Sequence, residues 1–581
     1  MVDLRAKPFD LTDEEIQWVE TQIASMTLEE KLGQLFILMK AKPGLNESEI
    51  CDTLDRFHQG GLRWQGGDKH AVYRQSDFYQ RHSKLPLFVA ANCDDGGIGA
   101  VPEGTFVATA AEAGASGSTE TAYAMGYVAG KEATAIGVNW MFNPVADIYK
   151  NWRNTIVNTR SFGGEADKVI ANCKAYIRGI KDAAPHMACT AKHFPGDGVD
   201  ELDPHLALAI NDLGVEEWNE SFGKVYRALI EDGLETIMIG QIALPAMSRK
   251  LRPGLKDTEI MPATLAPELL QDLLRGELGF NGVIISDASH MIGMSSVMKR
   301  SEAVPACIAA GCDVFLFAND PEEDLAYMKK GYEDGIITAE RLSDALHRIL
   351  GLKARMRLYD PAVRFPDESG LETIGCEAHH RMAREAAERG VTLVKDTRNL
   401  LPLDPAKQKN AFLVYVQSTP NSKGYQGDPV RAKITRELEE AGFNVTQCPN
   451  YYDLEVQNGV SLMNFIQMLT QGRRADFQKN YDVVFVFINV KGYAQKNTER
   501  LSWSCGHSME MPWYNEEVPV VTVSLNYTNH LIDYANAHTF INAYGPNDEN
   551  VHAVVEKIIG KSAFTGTAEE TVFCGRWDTR L

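Results

Sequence analysis

Leu278-Gly279-Phe280-Asn281-Gly282-Val283-Ile284-Ile285-Ser286-Asp287 is a turn, a short apolar run and a carboxylate. The run Gly282 to Ser286 reads as a buried strand, and Asp287 stands just past its end. Working outward, the same pattern recurs through the first 360 residues. The other runs are Leu35 to Leu38, Gly61 to Trp64, Leu87 to Ala91, Val138 to Val145, Met187 to His193, Thr236 to Ile242 and Asp313 to Phe317. Helix-like segments of crossover length separate most of them, as a parallel sheet requires. Two helix starts carry capping-box spacing, Thr12 with Glu15 and Thr27 with Glu30. Eight such units predict an N-terminal (β/α)8 TIM barrel with insertions. An open doubly wound sheet is the competing architecture. No G-x-G-x-x-G follows the first run, so a dinucleotide fold gains no support.

The chain has 581 residues, too long for one small core at about 150 residues per domain. The amphipathic stretch Leu342 to Leu358 ends at Tyr359-Asp360-Pro361, and the polar segment to about Gly370 reads as a linker. A helix over Ala378 to Arg389 follows, then strand-like runs at Val391 to Val394, Ala411 to Val416, Val483 to Val490, Val518 to Leu525 and Thr539 to Ala543. The expected organisation is a catalytic barrel over 1–360, a linker and connecting helix over 361–390, and a smaller three-layer α/β sandwich over 391–581. Gly424-Tyr425-Gln426-Gly427 is a polar loop that reads as a surface turn, or as an arm reaching the barrel mouth or a neighbouring subunit.

Hydrophobic residues make up 44% and charged residues 24%, which excludes wholesale disorder. The net charge of −21 argues against nucleic acid as a partner, because that affinity rests on cationic contacts. No stretch approaches the ~18 apolar residues of a membrane helix. The charged N-terminus over 1–20 has no apolar core of a signal peptide. Ten cysteines without a C-x-x-C pair read as small buried hydrophobes of a reduced, cytoplasmic protein. The 14 histidines are scattered, with no H-E-x-x-H, so neither a metal nor another cofactor is expected.

Barrel enzymes carry their reacting groups at the C-terminal ends of strands. That rule selects Asp94, Asp147, Lys192, His193 and Asp287, together with the loop holding Asp197, Asp200, Asp203 and His205. Such a rim suits acid–base or nucleophilic chemistry on a polar substrate. Each member also has a structural reading. Asp287 could cap the next helix. Lys192-His193 could be an ordinary strand end, Asp203-Pro204-His205 a solvated turn, Arg160 a helix cap, and Gly96-Gly97 a tight turn.

Taken together, Ala191-Lys192-His193-Phe194-Pro195-Gly196-Asp197-Gly198 with Asp203-x-His205 resembles the signature of family 3 glycoside hydrolases, β-N-acetylglucosaminidase branch. Pro262-Ala263-Thr264-Leu265 and the run into Asp287 resemble the same family. So do Asn143-Pro144-Val145-Ala146-Asp147, Asn158-Thr159-Arg160-Ser161-Phe162-Gly163 and Asn399-Leu400-Leu401-Pro402-Leu403, and the likeness extends from about residue 25 to 570. The resemblance implies that Asp287 is the nucleophile of a retaining reaction and that His205, oriented by Asp203, is the acid/base. It implies that Lys192, His193, Arg160 and Asp94 bind the sugar. It also implies a dyad loop able to swing in after substrate binds. The expected partner is a carbohydrate; the oligomeric state stays open, a homodimer included.

Three positions depart from the family pattern. Pro204 stands inside the D-x-H, Ile98 follows Gly96-Gly97 where an arginine is usual, and Gln241 stands where a histidine is common. A β-glucosidase or β-xylosidase of the same family is the nearest rival, although those branches draw a glutamate acid from the second domain. A β-N-acetylglucosaminide phosphorylase is another, because a histidine repels an incoming phosphate less than a carboxylate does. A non-catalytic sugar-binding protein would be marked by loss of Asp287, Asp203 or His205, and all three are present.

Overall fold

The computed structural model describes residues 2–40, 43–44, 46–418, 428–449, 472–492, 496–503, 509–573 and 575–580. The Gly424–Gly427 loop lies outside the described residues. The chain forms two compact units, 1–107 with 122–380 and 108–121 with 381–581.

In the first unit all eight expected runs are parallel strands. They are β1 Phe36–Lys40, β2 Gly61–Trp64, β3 Phe88–Ala91, β4 Trp140–Met141, β5 Ala188–Phe194, β6 Thr236–Ile239, β7 Val283–Ser286 and β8 Phe315–Leu316. Their order is β8-β1-β2-β3-β4-β5-β6-β7, and a parallel bridge between Ile285 and Val314 joins the two ends. The first unit is thus a (β/α)8 barrel, not an open sheet. Side chains complete the closing seam. Asp313, fully buried, accepts from the Ile284 N–H at 2.8 Å and from Arg275 at 2.7 Å, while Ser286 Oγ accepts from the Leu316 N–H at 2.9 Å. This explains why β8 is shorter than its apolar run.

Inside the barrel, the indole of Trp140 is fully buried. It packs edge-on against Phe88 at 4.6 Å and donates to Thr190 at 2.8 Å and Thr236 at 3.1 Å. A large ring with a satisfied N–H fills the interior and links β4 to β5 and β6. Both expected capping boxes form, at Thr12/Glu15 and Thr27/Glu30, and a third forms at Asn46/Glu49.

The segment after Asp360 is strapped down. Tyr73 donates to the Pro366 carbonyl at 3.0 Å, Lys69 to the Leu371 carbonyl at 3.0 Å, and Arg364 to Gln80 Oε1 at 3.1 Å. All three anchors lie on the helix Lys69–His82.

The second unit holds a mixed sheet in the order β9-β14-β13-β12-β10-β11. Its strands are β9 Thr392–Asp396, β10 Asn410–Gln417, β11 Asn444–Gln447, β12 Val483–Asn489, β13 Val520–Ser524 and β14 Thr539–Asn542. Among the described residues of this sheet only β9 and β14 pair antiparallel. Alternation along β10 explains the layers. Leu413 and Tyr415 join Ile434 and Leu438 of helix Pro429–Glu440 and Val551 and Val554 of helix Asp548–Ile558 in one core. Phe412 points the other way, onto Phe477 at 5.4 Å and Tyr481 at 4.9 Å. Helix Ala110–Ala115 joins this unit although its sequence lies between β3 and β4. Its buried Glu112 accepts from Asn550 at 2.9 Å, and the Ala115 carbonyl accepts from the Thr567 N–H at 2.8 Å.

Gly97, in the turn after β3, sits against Glu132. A Cβ there would lie 1.8 Å from Glu132 Oε2. That carboxylate is fully buried and holds Thr105, Gly375 and His379. Gly97→Ala is expected to destabilise the fold by about 1–3 kcal/mol, read as a lower urea midpoint. An unchanged midpoint would mean that Glu132 can retreat freely.

Candidate active site

The sequence placed Asp94, Lys192 and His193 at strand ends and Arg160 in a loop, and the fold brings them together. Asp94 lies just past β3. Its Oδ2 accepts from Arg160 Nε at 2.7 Å, and its Oδ1 accepts from Asn143 Nδ2 at 2.6 Å and Lys192 Nζ at 3.4 Å. Burial alone would raise the Asp94 pKa, but the Lys192 and Arg160 charges outweigh it and hold the carboxyl well below the usual range. Lys192 is itself 1% exposed, and burial moves its pKa down despite Asp94. Arg160 thus reaches Asp94, and its Nη1 also donates to the Ile156 carbonyl at 3.4 Å. Gly96 has φ +116°, so the Gly96-Gly97 pair is indeed a tight turn.

His193, near the end of β5, follows a cis peptide bond. Its Nδ1 is 2.7 Å from Asp147 Oδ2, and its Nε2 is 3.9 Å from Asp287 Oδ2. Burial drives its pKa down to about 3, so the ring is neutral. Asp287 follows β7 directly, and its Oδ1 accepts from the Ala288 N–H at 2.7 Å. The next helix starts at Ile292 with Met291 as its cap, so Asp287 is not an N-cap. Gln241 bonds on both sides. Its Oε1 accepts from Thr264 at 2.5 Å and its Nε2 donates to the Asp287 carbonyl at 3.4 Å.

The Asp203-Pro204-His205 turn is not solvated at its base. The Asp203 side chain is 0% exposed and its Oδ1 lies 2.7 Å from His205 Nδ1, while His205 keeps 30% exposure. The loop is docked rather than swung out. The His205 carbonyl accepts from the Ile292 N–H at 3.3 Å, and the Pro204 carbonyl from the Gly293 N–H at 3.0 Å. Beyond it, Ala209–Ile210 pairs with Ile242–Ala243 in a short parallel ladder. The segment after Asp287 thus holds the loop that carries His205. Burial pulls the His205 pKa down, but the hydrogen bond and charge of Asp203 outweigh it and leave it raised.

Several residues at the site were not singled out by the sequence. Asn143 spans two loops, accepting from the Cys93 N–H at 2.7 Å while donating to Asp94. Arg63, on β2, lies over the Phe317 ring at 5.7 Å and adds positive charge near Lys192. An alternating strand gives no hint that one arginine points into the mouth. Among the described residues, no group of three or more His, Cys, Asp or Glu is placed to hold a metal ion. No described helix is long and apolar enough to cross a membrane.

Residues 27–352 match the model of the glycosyl hydrolase family 3 N terminal domain. The chain belongs to glycosyl hydrolase family 3. A β-N-acetylglucosaminidase/β-glucosidase of Cellulomonas fimi is 38% identical, with 100% of both chains covered. The solved structure of a β-glucoside phosphorylase, BglX, bound to 2FGlc is 35% identical, with TM-score 0.89 and coverage of 97% of this chain and 98% of that one. A family 3 β-N-acetylglucosaminidase from Paenibacillus sp. str. FPU-7 shares the fold at 24% identity and TM-score 0.76, over 94% of this chain and 99% of that one. This family 3 enzyme is a glycosidase acting on β-glycosides.

In this family 3 chain the dyad predicts a titration. His205 should titrate above the ordinary imidazole value of about 6.5. Asp203→Asn removes the charge but keeps the burial, so the His205 pKa should fall below that value. Histidine-detected NMR titration checks it; a midpoint that does not move would show that Asp203 does not support the imidazolium.

Proposed function

We propose that this enzyme releases terminal N-acetyl-β-D-glucosamine from oligosaccharides or muropeptides with retention of configuration. Asp287 is the nucleophile, His205 the acid/base and Asp203 its orienting partner. The observation that carries this reading is the Asp203–His205 pair at 2.7 Å, on a loop bonded through its backbone to the segment following Asp287. In the first step the His205 imidazolium gives its proton to the glycosidic oxygen. Asp287 bonds to the anomeric carbon as the aglycone leaves as an alcohol. In the second, water attacks that carbon, His205 takes its proton, and Asp287 leaves as a carboxylate. Histidine suits both halves because its pKa lies near neutrality. Asp94, Arg160, Lys192 and His193 hold the sugar hydroxyls. Ile98, 41% exposed, offers no side-chain donor to an N-acetyl group, so β-glucosides are a second class of substrate.

Asp287→Ala is expected to lower turnover of an aryl N-acetyl-β-glucosaminide by several orders of magnitude, and His205→Ala by about 10²–10⁴-fold. Near-normal turnover in either variant sinks its assigned role. Because His205 must start protonated, kcat/KM should fall as pH rises through its raised pKa.

The likeness to a β-glucoside phosphorylase over nearly the whole chain favours a second acceptor. Phosphate would then attack the anomeric carbon in place of water and release a sugar 1-phosphate. A neutral histidine beside the acceptor repels that anion less than a carboxylate would. Product analysis in phosphate buffer decides between them: absence of sugar 1-phosphate at high phosphate leaves hydrolysis alone.

A further inference from the structure

Asp147 was selected only as a strand-end carboxylate, and the structure gives it two faces. Its Oδ1 accepts two backbone N–H groups, from His193 at 3.1 Å and Asp197 at 2.8 Å. Its Oδ2 faces His193 Nδ1 at 2.7 Å. An oxygen already taking two donors is a poor seat for a proton. Any proton on this carboxyl therefore sits on Oδ2, in line with Nδ1.

One proton occupies that short contact, and for a neutral ring its side decides the tautomer of His193, the two arrangements differing by one proton bound to the pair. If Nδ1 carries it, Nε2 turns a bare lone pair toward Asp287 Oδ2, 3.9 Å away. If the carboxyl has taken up a further proton from solvent, Oδ2 carries the one in the contact, the ring keeps its own on Nε2, and Nε2 presents a donor to the Asp287 carboxylate.

The surrounding charges favour the second arrangement. Asp147 is 0% exposed and meets Asp197 through the backbone N–H of that residue, whose own buried carboxyl takes Asn154 at 2.9 Å and the Gly198 N–H at 2.6 Å on Oδ1. The nearby cations, Lys192 and Arg160, are engaged by Asp94. The remaining titratable neighbours, Tyr226 and Cys173, are buried with raised pKa values and supply no positive charge. A fully buried carboxyl without a cation of its own is costly to ionise, and the Asp197 carboxyl nearby adds to that cost.

We propose that Asp147 works in its protonated form as a positioning residue, fixing His193 as the Nε2–H tautomer that faces Asp287 and the bound sugar. Burial pushing the Asp147 pKa up to about 7 accords with this. The effect on turnover rests on the nucleophile role proposed for Asp287; the tautomer itself does not.

Ring ¹⁵N NMR of the full chain at pH 6, with the His193 signals assigned from a His193→Gln variant, reads the tautomer directly. A protonated Nε2 with a bare Nδ1 is expected, and a protonated Nδ1 overturns the proposal. Asp147→Asn gives the second test. The amide oxygen can take both backbone N–H groups while its NH₂ donates to Nδ1, so it allows only the Nε2–H form. D147N should keep kcat/KM near wild type, whereas D147L should lose about 10²-fold. A folded D147N as impaired as D147L overturns the proposal. Should Asp287→Ala stay active while the ring shows Nε2–H, the nucleophile assignment fails and the tautomer stands.

Discussion

A carboxylate withdrawn from water must be given positive charge or donors, and at the mouth of the barrel Asp94 is where this enzyme meets that demand. Arg160 comes from a short turn before the helix Ala166–Ala183, Lys192 from β5, and Asn143 from the stretch after β4. Breaking such a buried pair by removing one member typically costs about 3–5 kcal/mol. The cluster therefore fixes three neighbouring strand ends against one another. Everything placed on those ends, including His193 one residue beyond Lys192, inherits its position from that constraint.

The parallel barrel makes the convergence geometrically simple. Every strand delivers its last residue to the same rim, so groups far apart in sequence arrive together. Asp147 and Asp197 meet through a backbone N–H, and Gly293 meets Pro204 in the same way. Gly293 is also a close-packed position. A Cβ there would lie 2.8 Å from Gln241 and 3.0 Å from the Ala207 carbonyl, so the backbone contact holding the His205 loop needs a residue without a side chain.

Strands were legible in the sequence wherever burial on both faces left an unbroken apolar run, as in Val283-Ile284-Ile285 and Val483 to Val490. β11 was not, because Asn444–Gln447 is an exposed edge whose polar residues carry no pattern. The ladder between Ala209–Ile210 and Ile242–Ala243 is too short to leave a period. At the site, residue types and order pointed to Asp94, Arg160, Lys192, His193, Asp203, His205 and Asp287. What the sequence could not show was partnership. Nothing in the letters says that Asp147 faces His193, or that Glu132 makes four contacts with two separate segments, at Thr105 and at Gly375 to His379. Such links depend on distances that only the folded backbone sets.

The second unit borrows a piece from far upstream. Helix Ala110–Ala115 supplies the carboxylate that Asn550 donates to, and Glu112 lies against Gly390, where any added Cβ would meet it at 2.3 Å. The C-terminal fold is therefore discontinuous in the gene. A fragment beginning at residue 381 would encode the sheet but leave a helix-shaped gap in its surface. Asn550 would lose one of its two acceptors, keeping the Ala543 carbonyl, and the Gly390 backbone would be opened to solvent. A self-contained version would need the residues 108–121 joined back to it by a designed connection, so the boundary that separates these units in space is not one that a single cut can follow.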